Sequence, residues 1–91
     1  MKNEISRILK DAEHCVTADG VCLLVIQMAR VIRGAGAAVS VTSVSFPNEP
    51  PTFEVNAYCA GDEWHSHGTG DMRDGFLSIL KQMAKQHEKA T

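Results

Sequence analysis

The stretch of residues 52–70, TFEVNAYCAGDEWHSHGTG, constrains the fold most, because it joins a clean two-residue period, a glycine turn and the chain's one tryptophan. Phe53, Val55, Ala57 and Cys59 alternate with Thr52, Glu54, Asn56 and Tyr58. Successive side chains of a strand point to opposite faces, so the first set is expected to be buried and the second to meet water. Gly61-Asp62 suits a two-residue hairpin turn, since glycine accepts positive φ at the first central position. Residues 63–67 then return as an antiparallel strand. So short a turn sets the register: Ala60 opposite Glu63, Cys59 opposite Trp64, Tyr58 opposite His65, Ala57 opposite Ser66 and Asn56 opposite His67. Trp64 joins the apolar face, while Glu54, Asn56, Tyr58, His65 and His67 share the other.

Before this hairpin, Ile5, Ile8, Leu9, Ala12 and Val16 recur at helical spacing and predict an amphipathic helix over about residues 3–15. Residues 17–20 interrupt it, with Thr17 or Asp19 able to cap the next helix. That second helix, about residues 19–33, is apolar on most sides, with Gln27, Arg30 and Arg33 as a narrow polar stripe and Gly34 as its stop. It is expected to be the central core helix, and its apolar excess points to a homodimer.

Residues 37–46 are β-branched and small and read as the first strand. Val39 and Val41 point one way and Val44 and Phe46 the other, which predicts a β-bulge near Thr42 and Ser43. Residues 47–51, PNEPP, form a turn outside the ladder. Asp71 is placed to cap a last helix, with Met72, Phe76, Ile79, Leu80, Met83, Ala84 and His87 as its apolar stripe down to about residue 89. The expected fold is α+β, in the order α-α-β-β-β-α: a three-stranded antiparallel meander with helices packed on one face.

A chain of 91 residues fits one domain, residues 1–91. Its net charge of −2 argues against a general polyanion binder, and hence against nucleic acid as the partner. The longest apolar run, residues 21–26, is too short for a bilayer, and the N-terminal residues lack a signal-peptide core. A cytoplasmic protein without a membrane role is the expectation.

Cys15, Cys22 and Cys59 are odd in number and form no CxxC pair, so neither a disulfide framework nor a zinc ribbon is indicated. Cys59, His65 and His67 are zinc-ligand types, but the alternation turns Cys59 inward and both histidines outward, so the three do not converge; His65 and His67 with Glu54 or a residue of a partner are the ligand set left open, and no metal site is assigned. His14 and Cys15, adjacent on a helix, do not face each other as base and nucleophile would. Asp62, Glu63, Asp71 and Asp74 fit a turn and a helix cap better than acid/base work. Gly68-Thr69-Gly70 lacks the lysine of a phosphate-binding loop. No catalytic residue and no cofactor is assigned. Lys81, Lys85 and Lys89, four residues apart, form a basic ridge on the last helix that could meet phosphate or an acidic protein, but the preferred reading is cations placed as they commonly are near a helix C-terminus.

From Thr52 onward the hairpin with Phe53 and Val55, the Gly68-Thr69-Gly70 loop and the helix from Asp71 resemble the second half of a double-stranded-RNA-binding domain in topology. That family's Lys-rich helix start is here Asp71-Met72-Arg73-Asp74. In size, mild acidity, lack of a catalytic motif and the run from Tyr58 to Leu80, the chain is similar to small phage or prophage accessory proteins, among them the anti-CRISPR inhibitors. This similarity implies binding to a larger host protein or complex and blocking it. The expected function is a non-enzymatic protein-binding module, with Glu54, Asn56, Tyr58, His65 and His67 as the partner-binding face. The alternatives are a degenerate nucleic-acid-binding domain of the double-stranded-RNA type and a zinc-binding accessory protein.

Overall fold

The computed structural model describes the backbone of residues 2–90 and the side chains of residues 3–88. Its elements are α1 (Lys2–His14), α2 (Ala18–Arg33), β1 (Ala38–Val44), β2 (Thr52–Cys59), β3 (Asp62–Thr69) and α3 (Met72–Ala90). The strands form one antiparallel sheet in the order β1-β2-β3. This is the α-α-β-β-β-α order and the α+β class that the patterning predicts.

Local chemistry sets the helix ends. Thr17 rather than Asp19 caps α2, its hydroxyl oxygen accepting from the Gly20 N–H at 3.1 Å. Asp19 instead lies in the first turn, where its charge complements the helix dipole. Gly34, at φ 77°, closes the helix by donating its N–H to the Arg30 carbonyl at 3.0 Å. Asp71 precedes α3, and its carboxylate accepts from the Arg73 N–H at 3.0 Å. α1 ends without such a glycine, and its last carbonyls are met from across the molecule. The Arg73 guanidinium on α3 donates through Nη2 to the Ala12 carbonyl at 3.1 Å and through Nε to the Cys15 carbonyl. Carbonyls at a helix end have no partner within the helix, and a cation there also meets the negative end of the dipole. Arg73→Ala is therefore expected to lower stability by about 1.5–3 kcal/mol, the usual worth of hydrogen bonds to a charged group. Urea denaturation monitored by circular dichroism measures it.

α2 and α3 pack together and against the sheet, mainly on β2 and β3, while α1 packs on α2 and α3. The core contains Val21, Val25, Met28 and Ala29 of α2, Phe53, Val55 and Ala57 of β2, Trp64 of β3, and Phe76, Ile79, Leu80 and Met83 of α3. The apolar excess of α2 is mostly absorbed within the chain, leaving Leu23 as its exposed large side chain, at 61%. On α1, Ile5, Ile8 and Ala12 are buried as expected, but Val16 lies beyond the helix and is exposed.

Three local expectations need correction. The hairpin turn is centred on Ala60-Gly61, both at positive φ (51° and 87°), rather than on Gly61-Asp62. Two positive-φ residues in sequence make a type I′ turn, whose twist matches that of the strands. Asp62 thereby becomes the first residue of β3 and pairs with Arg33 of α2, Nε to Oδ2 2.5 Å. The register consequently slips by two: Cys59 lies opposite Asp62, Tyr58 opposite Glu63, Ala57 opposite Trp64, Asn56 opposite His65, Val55 opposite Ser66 and Glu54 opposite His67. A shift of two preserves which face each residue joins. Finally, β1 has no bulge and pairs without interruption from Ala38 opposite Tyr58 to Val44 opposite Thr52. Val44 and Phe46 are exposed, so nothing draws both apolar pairs of β1 to one side.

Candidate protein-binding face

The helices cover one face of the sheet and leave the other open. The open face is built in cross-strand rows: Ala38, Tyr58 and Glu63; Ser40, Asn56 and His65; Thr42, Glu54 and His67; Val44, Thr52 and Thr69. All of these residues except Asn56 are exposed. Residues directly opposite each other on antiparallel strands have Cβ atoms about 4.5–5.5 Å apart, close enough to interact. The sheet thus acts as a frame that holds twelve side chains at fixed spacing.

Asn56 departs from the expectation that all five candidate residues are exposed, being buried at 8%. It lies on the middle strand with Ser40 on one side and His65 on the other, so its neighbours cover it. Its amide nitrogen donates to the Ser40 hydroxyl at 3.4 Å, and its amide oxygen contacts His65 Nδ1. The other ring nitrogen of His65 approaches Glu63 Oε2 at 3.3 Å. Both nitrogens of His65 therefore face oxygen acceptors. Tyr58 stands edge-on to the same ring, with centroids 6.2 Å apart and planes at 78°. This T-shaped arrangement is one that aromatic quadrupoles favour. Asn56 is thus a support beneath the surface, and Tyr58, His65, His67 and Glu54 are presented to solvent.

Glu54 and His67 are cross-strand neighbours, and with Thr42, Val44, Thr52 and Thr69 they line a shallow open depression of about 520 Å³. Ser40, Thr42, Val44 and Glu63 belong to this face and were not among the candidates. Uninterrupted alternation of β1 would have placed its three there, and the two-residue register slip adds Glu63 beside Tyr58.

The other chemical candidates are separated in space. Cys59 lies on the covered face, its thiol donating to the Ala35 carbonyl at 3.1 Å, while His65 and His67 lie on the open one. Among the described residues, no three His, Cys, Asp or Glu side chains are grouped to hold a metal ion. Burial first, then the Asp19 carboxylate, pushes the Cys22 thiol up from its ordinary range. Nucleophilic cysteines have the opposite shift. Lys81 and Lys85 are exposed on α3 and border a second open groove with Asp74, Leu77, Ser78 and Gln82. The side chain of Lys89, the third member of that ridge, is outside the described residues. No helix among the described residues is long and apolar enough to cross a membrane.

In comparison with known proteins, no family model matches the chain, and no curated protein or solved structure resembles it significantly.

Proposed function

We infer that the chain is a small non-enzymatic module that binds a larger protein through the open sheet face. The carrying observation is the ordered cluster of Tyr58, His65, Asn56 and Glu63 on a sheet surface that no helix covers. A side chain already held in place loses little conformational freedom when a partner arrives, and Tyr adds contact area at small entropic cost. Histidine contributes both donors and acceptors, and Glu54 and His67 add polar contacts beside the depression. In this reading the partner is a host protein or complex, and binding blocks it, as in the phage accessory inhibitors that the chain resembles in style.

The test is capture on the immobilised chain, comparing wild type with Tyr58→Ala/His65→Ala. Both residues are exposed, so the variant is expected to keep its circular dichroism spectrum and to unfold cooperatively, with a midpoint lowered modestly by loss of the Asn56 and edge-on ring contacts. Its affinity for the captured protein should fall by at least about 2 kcal/mol, roughly thirtyfold, as truncation of interface anchors typically does. Undiminished binding by this variant, together with loss on Lys81→Glu/Lys85→Glu, would move the site to α3.

The run α2-β1-β2-β3-α3, with its helices on one sheet face, favours a second reading as a degenerate domain of the double-stranded-RNA-binding type. Its start of α3 is anionic, with Asp71 and Asp74 where that family grips phosphate. Salt-dependent binding to generic duplex RNA would support that reading, since phosphate contacts release counterions.

A further inference from the structure

The two edges of the sheet are unlike. β3 carries Asp62, Glu63, His65 and His67, and α3 reaches its backbone through Gln82 Nε2, which donates to the His65 carbonyl at 2.8 Å. β1 has no charge and little cover: Val39 is half-buried against the core, and the other six residues of the strand are exposed. From residue 34 to residue 48 no side chain is charged, in a chain where 22% of residues are. Helix packing on the sheet falls on β2 and β3, so β2 is the one substantial neighbour of β1. Val41 sits on the helix side of the sheet, opposite Val55, yet is 44% exposed. In an antiparallel strand the N–H and C=O groups of alternate residues point away from the paired neighbour, so this edge presents an open hydrogen-bonding row.

We propose that β1 pairs antiparallel with β1 of a second copy, joining two sheets into one of six strands. A two-fold axis through the sheet places each residue opposite a copy of a residue on its own face. Centring it on Val41 engages all seven residues of the strand. Val41 then meets Val41, Val39 meets Ser43, Ser40 meets Thr42 and Ala38 meets Val44. Across such an axis only the central residue meets its own copy, and along β1 neither that residue nor any of its neighbours carries a charge that the pairing would have to bury or repel. The same pairing shields Val39 and Val41 from water on the helix side and continues the open face across both copies. It stands independently of what that face binds.

Sedimentation equilibrium of the full chain at micromolar concentration should give twice the 9.9 kDa monomer mass. Val41→Lys places two ammonium groups across the axis and should weaken the dimer at least about a hundredfold, since like-charge contacts at an interface cost several kcal/mol. Its circular dichroism should stay unchanged, because Val41 is already exposed. A second variant does not depend on disruption. Residue 41 meets its own copy at a Cα separation within disulfide reach, so Val41→Cys should cross-link to a covalent dimer under mild oxidation with copper phenanthroline, while Leu23→Cys on α2 should not exceed the wild-type background. The proposal is overturned by a 9.9 kDa monomer across the concentration range, by a dimer that survives Val41→Lys, or by a Val41→Cys chain that fails to cross-link.

Discussion

Trp64→Ala is expected to lower stability by about 3–5 kcal/mol, the range found when a large aromatic is deleted from a core. Trp64 is 4% exposed on the covered face of β3, opposite Ala57, where the small side chain leaves space for the indole. Its Nε1–H donates to Gln86 Oε1 on α3 at 2.8 Å, so the ring ties the sheet edge to the helix by both packing and a hydrogen bond. Trp64→Phe keeps much of the packing but loses that bond, and should cost distinctly less. Guanidinium denaturation monitored by far-ultraviolet circular dichroism orders the three proteins. In the wild type, tryptophan emission should be blue-shifted, as for an indole away from water. An alanine variant as stable as wild type would mean that β3 is not anchored to α3 through this residue.

Phe53→Ala should have an effect of similar size, about 3–5 kcal/mol, and reveals how closely α3 approaches the sheet. Gly75, buried on α3, has no room for a side chain: a Cβ built there would lie 2.6 Å from Phe53 Cε1 and 2.9 Å from Val55 Cγ2. Glycine in a helix costs about 1 kcal/mol against alanine, but overpacking a core costs about 1–3 kcal/mol. Gly75→Ala is accordingly expected to destabilise despite its better helix propensity. Removing the Phe53 ring clears the nearer of the two obstacles. In the double variant Phe53→Ala/Gly75→Ala, the alanine at position 75 should cost less than it does alone, with a coupling energy of about 0.5–3 kcal/mol. Additive effects in a denaturation cycle would show that the helix and the ring are not in contact.

Face membership was readable from the alternation at residues 52–59, because it depends on parity alone. Cys59 is buried and Tyr58 is 37% exposed, as the period of two requires, even though the register differs by two. The turn's centre is not legible in the sequence, because Ala60 at positive φ carries no signal, unlike the Asn or Asp usual in a type I′ turn. The bulge expected in β1 rested on the premise that Val44 and Phe46 must be buried. An edge strand without a helix over it removes that premise. Asn56 shows the limit of periodicity: parity names the face but not whether neighbours such as Ser40 and His65 enclose a residue on it. The contact of Arg73 with the end of α1 joins residues 58 and 61 positions apart, a pairing that helical spacing does not reveal. Of the candidate face, four residues are presented as the alternation suggested, and the supporting hydrogen bonds emerged only with the register.

Hydroxyl-radical footprinting of the chain, free and bound to its captured protein, reads side-chain exposure directly and locates the contact without any mutation. Binding through the open sheet face predicts that oxidation of Tyr58, His65 and His67 slows several-fold in the complex, while Leu23 on α2 and Leu77 on α3 react as in the free chain. Unchanged oxidation of Tyr58, His65 and His67, with protection confined to Leu77 and its neighbours on α3, would contradict it.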